Sequence, residues 1–239
     1  MTDTFQERSP TATKRLARVA GVVYLALALA TAFGFYHAPL VQGDLTVIGR
    51  MLIKSDVRFH IAVVADVLAA ALSVPLALLL YELFRPVCRV QSALLALLLL
   101  VAMPVSFVVA LNYVAAQWLL SGVPLVAAIP DPQRQAFGIL FLGLHTHGVL
   151  AVEIFYGLWL LPFGLLVIRS GYLPRVLGVL LIMGGLAYVA HSITSLLLAG
   201  QRVAVYERIT MLARAAAEFP AILWLVIKGA DAPEQAEGA

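Results

Sequence analysis

Two histidines and a carboxylate interrupt one of the most apolar stretches of this chain. The segment GLHTHGVLAVEIFYG, residues 143–157, carries His145, His147 and Glu153. Imidazole and carboxylate groups bind metals and transfer protons, so their clustering raises the question of a metal or catalytic site. A regular helix turns about 100° per residue, which places His145 and His147 about 200° apart. The two histidines are therefore not expected to ligate one metal ion.

Further polar side chains recur in the other apolar stretches. Arg214 and Glu218 are four residues apart, a spacing that suits an ion pair on one helix face. Glu153 and Tyr156 share a helix face, with His145 at its edge. The candidate binding residues are Arg214, Glu218, Asp66, His145, His191, Glu153, Asn112 and Tyr156. No catalytic residue is assigned, and no metal ligand set is predicted.

Composition predicts that these residues lie inside a membrane. The 239 residues are 62% hydrophobic and 12% charged, against roughly 45–50% apolar and 25% charged residues in soluble domains. Apolar runs long enough to cross a hydrocarbon core of about 30 Å occur six times. We therefore predict an all-α, polytopic integral membrane protein, a bundle of six transmembrane helices near 19–36, 59–84, 93–120, 137–168, 176–199 and 203–227. An N-terminal tail, 1–18, and a disordered tail, 229–239, flank the transmembrane domain, 19–228.

The distribution of Lys and Arg predicts the orientation of the bundle. Basic residues occur singly or in pairs beside apolar runs, which indicates membrane topology rather than nucleic-acid binding. One side carries Arg8, Lys14, Arg15, Arg18, Arg85, Arg89, Arg169, Arg175 and Lys228, and the other carries Arg50, Lys54, Arg58, Arg134, Arg202 and Arg208. The richer side predicts cytoplasmic N- and C-termini. A cleaved signal peptide ending near ALATA is the alternative interpretation of the first apolar run.

This orientation places most polar side chains at one depth. Asp66 precedes the cytoplasmic Pro86 by about 20 residues, and Glu153 precedes Pro174 by about 21, so both carboxylates lie in the outer half of the bundle. Glu218 is the deepest, near the middle. A charge at a helix centre costs roughly 2.5–3.5 kcal/mol on insertion scales, so these groups should face each other or water. A polar chamber in the outer half is expected.

Several landmarks together resemble a known bacterial membrane family. The matching stretches are RLARVAGVVYL, Gly43–Asp44, Arg58, LLLYELFRPV, RSGYLPRVLGVLL and LWLVIKG, spread over about residues 15–229. They resemble the family called domain of unknown function 4386. The resemblance implies six helices in a bacterial cytoplasmic membrane and no established activity. Similar sequences also place His and Glu at His145 and Glu218, whereas His147 and Glu153 look like departures.

Several functions stay open at this point. The first is the handling of a lipid, an amphiphile or a small solute in the chamber, centred on Arg214 and Glu218. A structural or regulatory membrane subunit with a purely structural polar network is the second. An intramembrane zinc hydrolase using His145 and His191 with Asp66 or Glu153, or a haem protein with the same two histidines as axial ligands, is the third. Non-enzymatic function is favoured, with membrane lipids as partners and no resident cofactor.

Overall fold

Seven α helices make up the part of the chain that the computed structural model describes, residues 9–37, 56–198 and 204–230. They are α1 (Pro10–His37), α2 (Asp56–Phe84), α3 (Arg89–Ser121), α4 (Asp131–Leu158), α5 (Leu160–Ser170), α6 (Arg175–Leu197) and α7 (Ala204–Ile227). No strand occurs within these ranges. Gly43–Asp44, part of the family resemblance, lies outside the described residues. The all-α prediction is confirmed.

Local sequence explains where the helices begin and end. The hydroxyl of Ser9 accepts a hydrogen bond of 3.3 Å from the backbone N–H of Ala12, and Pro10 lacks the N–H that a first helical position leaves unpaired. Helix α1 therefore begins within the stretch predicted as a tail. At the other ends, Gly122 and Gly171 adopt φ of +67° after α3 and α5, a conformation that glycine reaches without steric cost.

Helices α4 and α5 together form the fourth predicted span, 137–168. The helical pattern is interrupted at Trp159, and Pro162 gives the reason, because it has no N–H to donate to the carbonyl of Leu158. The hydrogen bond from Phe163 N–H to the Trp159 carbonyl, 3.3 Å long, carries the helix onward. The fourth span is thus one rod with a proline-induced break.

The helices form a closed ring. Each packs against the next in sequence, and α7 returns to pack against α1. The Arg18 guanidinium donates a hydrogen bond of 3.1 Å to the Ile227 carbonyl at this closure. Gly229 lies against Lys14, and Ala230 is buried in the core, although both were predicted to belong to a disordered tail. Both ends of the bundle's chain therefore lie on one face.

We call this face the basic face, because Lys14, Arg85, Arg89, Arg169, Arg175 and Lys228 flank its helix ends. The half of each helix farther from it is the distal half. The basic half holds the main apolar core, to which every helix except α4 contributes. The buried polar side chains lie mostly in the distal half, among them Gln117, His145, His191 and Ser192. The predicted asymmetry between an apolar half and a polar half is therefore present.

Glycines bring the α4–α5 rod and α6 into backbone contact. A Cβ atom on Gly164 would lie 2.5 Å from the Gly178 carbonyl oxygen, and one on Gly178 would lie 2.6 Å from that of Gly164. Gly157 and Gly185 face each other in the same way, at 2.5 and 2.7 Å. These contacts set the distance and rotation between the two elements, and so decide which polar side chains meet.

The outer surface of the ring is apolar. Large side chains such as Val22, Leu29, Val64 and Leu111 are more than half exposed, as expected where lipid replaces water. Five helices of the described chain, with α4 and α5 taken as one, are long and apolar enough to cross a membrane. The chain is therefore polytopic.

Candidate functional site

A carboxylate shared by a guanidinium and an imidazole ties three helices together in the distal half. Glu153 on α4 accepts a hydrogen bond from His191 Nδ1 on α6 at 2.6 Å. Its other oxygen accepts one of 2.7 Å from the Arg214 guanidinium on α7. The three side chains are at most 15% exposed. Each polar group has a charged or ionisable partner, which is how buried charges are sustained.

A second carboxylate lies deeper in the bundle. Glu218 on α7 accepts a hydrogen bond of 2.9 Å from the Tyr188 hydroxyl on α6 and another from the Tyr24 hydroxyl on α1. The Arg214 guanidinium lies 4.6 Å from the centre of the Tyr188 ring, a cation–π contact that links the two carboxylates. We call Tyr24, Glu153, Tyr188, His191, Arg214 and Glu218 the ionic network.

Arg214 and Glu218 do not form the predicted ion pair, because each side chain has another partner. Within the described chain, the ion pair of Arg214 is with Glu153, and the hydrogen bonds of Glu218 are with tyrosines. Helix geometry supplies the reason, because side chains lean toward the helix N-terminus. Arg214 therefore leans away from a residue four positions later, which makes this order of charges the weaker one.

His145 and His147 lie on opposite sides of α4, as their spacing predicts. His145 is 4% exposed, donates from Nδ1 to the Val109 carbonyl at 3.0 Å and stacks on the Tyr113 ring at 4.5 Å. His147 is exposed and bonds the Gly143 carbonyl of its own helix. His145 is thus held by α3, away from the ionic network.

Asp66 on α2 occupies a different environment from the other carboxylates. Its Oδ1 lies 2.8 Å from the position that a Cβ on Gly34 of α1 would take. Within the described part of the chain, no group donates a hydrogen bond to this half-buried carboxylate. The carboxylate lies on the side of α2 toward Tyr113 of α3 and Tyr156 of α4. The Tyr156 hydroxyl shares a hydrogen bond of 2.9 Å with Ser106.

Asn112 is the candidate that the structure separates from the rest. Its amide donates to the Val108 carbonyl one turn back on α3 at 2.8 Å. An amide that bonds its own helix satisfies part of its polarity without any neighbour. We therefore do not assign Asn112 to the predicted polar chamber.

An apolar groove of about 690 Å³ runs between α1 and α2 in the distal half. It is lined by Ala26, Leu29, Ala30, Phe33, His60, Ile61, Val64, Ala65 and Leu68. His60 is the polar residue of this lining, whereas Asp66 is not part of it. Sequence reasoning missed the groove, since the pattern of a single helix does not show where two helices separate.

The donor set does not form a metal site within the described chain. No three His, Cys, Asp or Glu side chains there lie close enough to hold a metal ion. The Nδ1 atoms of His145 and His191 bond a backbone carbonyl and Glu153. The zinc hypothesis thus lacks the three converging ligands that it requires.

An all-helical ring with an apolar exterior and ionisable groups buried between its helices defines a polytopic membrane protein. The sequence model of the family described as Domain of unknown function (DUF4386) matches residues 19–229. The chain belongs to this family. No curated protein matches the chain, and no solved structure does.

Proposed function

We propose that this protein binds a membrane amphiphile in the groove between α1 and α2. The observation that carries the proposal is the position of the groove, whose lining side chains Leu29, Val64 and Leu68 are more than half exposed on the outer, apolar surface of the ring. Ligand sites combine mostly apolar walls with a few polar groups that fix orientation. The groove supplies the apolar walls, and His60 is the polar residue of its lining. The basic residues at the basic face support a cytoplasmic location of that face. The proposal therefore includes a bacterial inner membrane with the groove in its outer leaflet.

The ionic network is separate from the proposed binding site. Glu153, His191 and Arg214 satisfy one another, and Glu218 accepts two tyrosine hydroxyls. A ligand entering this network would have to displace an existing bond of a buried charge, at a cost of several kcal/mol. The network instead joins α1, α4, α6 and α7 to one another, and α1 forms one wall of the groove.

A structural or regulatory subunit is the second candidate, and the ionic network favours it. The ionic network connects four helices with each carboxylate supplied with donors, which is what a purely structural role requires. The two candidates differ in one respect. A ligand-binding protein retains an amphiphile after extraction, whereas a structural subunit retains a protein partner or nothing.

Native mass spectrometry after extraction in a mild detergent tests the proposal. The wild-type protein should carry an adduct of lipid mass, and Leu29→Trp combined with Leu68→Trp should lose most of it because the indoles fill the groove. Val22→Trp is the matched control, since Val22 lies two turns along the same face of α1 and is 56% exposed, against 59% for Leu29. An adduct retained equally by all three proteins, or absent from the wild type, would contradict the proposal.

A further inference from the structure

We infer that Asp66 is a proton-binding site inside the bundle, where the side chain takes up a proton from the aqueous phase on the distal side. The chemistry is one reversible step, in which a carboxylate oxygen binds a proton and the negative charge of the side chain is neutralised. The inference concerns the interior side of α2 and not the groove, so it is independent of the proposed function.

Asp66 differs from the other buried carboxylates in its partners. Glu153 is bonded to an imidazole and a guanidinium, and Glu218 accepts two tyrosine hydroxyls. Among the described residues, neither a hydrogen-bond donor nor a cation contacts the Asp66 carboxylate, although this side chain is only partly exposed. A carboxylate that loses its hydration without compensation neutralises itself by binding a proton.

The part of Asp66 that faces α1 is tightly packed. Its Oδ1 lies 2.8 Å from the position that a Cβ on Gly34 would take, and the same position lies 3.4 Å from Ala65 Cβ and 3.6 Å from the Ala62 carbonyl oxygen. Hydrocarbon does not stabilise a negative charge, and a carbonyl oxygen only accepts hydrogen bonds. This packing therefore suits a neutral carboxyl group better than a carboxylate.

The ionisable groups that face Asp66 from the neighbouring helices are tyrosines. Asp66 lies on the side of α2 toward Tyr113 of α3 and Tyr156 of α4, and α1 presents Gly34 to it. On α2 itself the nearest ionisable residue is His60, six positions earlier and about 240° round the helix. A tyrosine never becomes a cation, but its hydroxyl oxygen can accept the hydrogen of a protonated carboxyl group.

The depth of Asp66 indicates where the proton comes from. Asp66 precedes Phe84, the end of α2 at the basic face, by 18 residues, which corresponds to about 27 Å of helix. A hydrocarbon core is about 30 Å thick, so the carboxyl group lies near its distal boundary. The main apolar core fills the basic half, and a proton therefore reaches Asp66 from the distal side.

Isotope-edited infrared spectroscopy tests the inference. The purified protein would carry carbon-13 only at its aspartate carboxyl groups, so that the carbonyl band of a protonated aspartate is recognised by its isotope shift. An ordinary aspartate titrates near pH 3.9 and is only about 2–3% protonated at about pH 5.5. For the wild type we expect about one protonated aspartate per chain at this pH, because Asp66 lacks donors for its charge. The band should disappear as the pH is raised, and Asp66→Asn should remove it at every pH.

Asp131→Asn is the matched control. Asp131 pairs with Arg134, and its side chain is 75% exposed, so this variant should keep the labelled acid band of the wild type. Asp66→Ser removes the same carboxyl group as Asp66→Asn and provides the comparison if the asparagine variant does not fold.

Two results would overturn the inference. The first is the absence of a labelled acid band from the wild type at about pH 5.5, which would mean that Asp66 is ionised. The second is a band of unchanged size in the Asp66 variants, which would assign the proton to another aspartate. Neither result affects the lipid adduct that tests the groove.

Discussion

Glu153 and Arg214 are 61 residues apart in the chain and form an ion pair of 2.7 Å between α4 and α7. This pair joins two helices that are not neighbours in sequence. His191 on α6, which packs against both helices, binds the same carboxylate. The stability of the distal half therefore depends on a contact that only the assembled ring can form.

Removing either member of the Glu153–Arg214 pair should destabilise the protein strongly. Loss of one partner leaves a buried charge, so Glu153→Ala and Arg214→Ala should each lower the free energy of unfolding by about 3 kcal/mol. The double variant should lose clearly less than the sum, because both changes remove one interaction. Unfolding in mixed micelles, followed by circular dichroism, measures all three.

Glu82→Ala is the control for that cycle. Glu82 pairs with Arg85 at 3.0 Å, with both side chains 34% exposed. A pair this exposed contributes at most about 1 kcal/mol. Additive losses in the Glu153 and Arg214 cycle would show that the two residues are not coupled.

The tyrosine hydroxyls on Glu218 should contribute separately to stability. Tyr188→Phe keeps the ring under Arg214 but removes the hydroxyl that donates to Glu218 at 2.9 Å. A hydrogen bond to a charged group contributes about 1.5–3 kcal/mol, so a loss in this range is expected. Thermal unfolding in detergent measures it.

Tyr156→Phe offers the comparison, because its hydroxyl meets the neutral Ser106 at 2.9 Å. A neutral hydrogen bond contributes only about 0.5–1.5 kcal/mol. A larger loss in Tyr156→Phe than in Tyr188→Phe would mean that Glu218 does not depend on its tyrosine donors.

His145 and His147 should differ in their importance for the stability of the fold. His145→Ala removes a buried ring that stacks on Tyr113 and leaves the Val109 carbonyl without its donor, which should cost about 2 kcal/mol. His147→Ala affects an exposed side chain bonded to its own helix and should change stability by less than about 0.5 kcal/mol. Comparable melting temperatures for both variants would contradict this assignment.

The backbone contact between α5 and α6 should not tolerate an added methyl group. Gly164→Ala would place Cβ 2.5 Å from the Gly178 carbonyl oxygen, and overpacking of this kind costs about 1–3 kcal/mol or prevents folding. Gly171→Ala is the control, since its Cβ would meet nothing within 4 Å and strains only a φ of +67°, for about 1 kcal/mol. A separation of the two helices should also weaken the Glu153–His191 bond, which the histidine ring resonances in NMR would report.

Helical geometry allowed the sequence to predict part of this site. A rise of 1.5 Å and a turn of 100° per residue are the same in every helix, so the opposed histidines and the depth of Glu218 could be read from spacing alone. The fold class followed from the length of the apolar runs. Each of these features belongs to a single helix.

The relations between helices could not be predicted in the same way. The position of α7 relative to α4 determines that Arg214 meets Glu153. This position is set through α6, by the contact of Gly157 with Gly185 between α4 and α6 and that of Gly184 with Ala217 between α6 and α7. The bond between Tyr24 and Glu218 likewise requires α1 and α7 to close the ring. The lean of side chains toward the helix N-terminus was the one available signal against an Arg214–Glu218 pair.

The closure of the ring between α1 and α7 also has a consequence for biosynthesis. The ribosome makes α7 after α4 and α6, so Glu153 and His191 are synthesised before Arg214. Until then the first and last helices of the bundle have no mutual partner, and the polar interior faces an open side. Insertion of α7 thus closes the ring and supplies the guanidinium that pairs with Glu153 in one event.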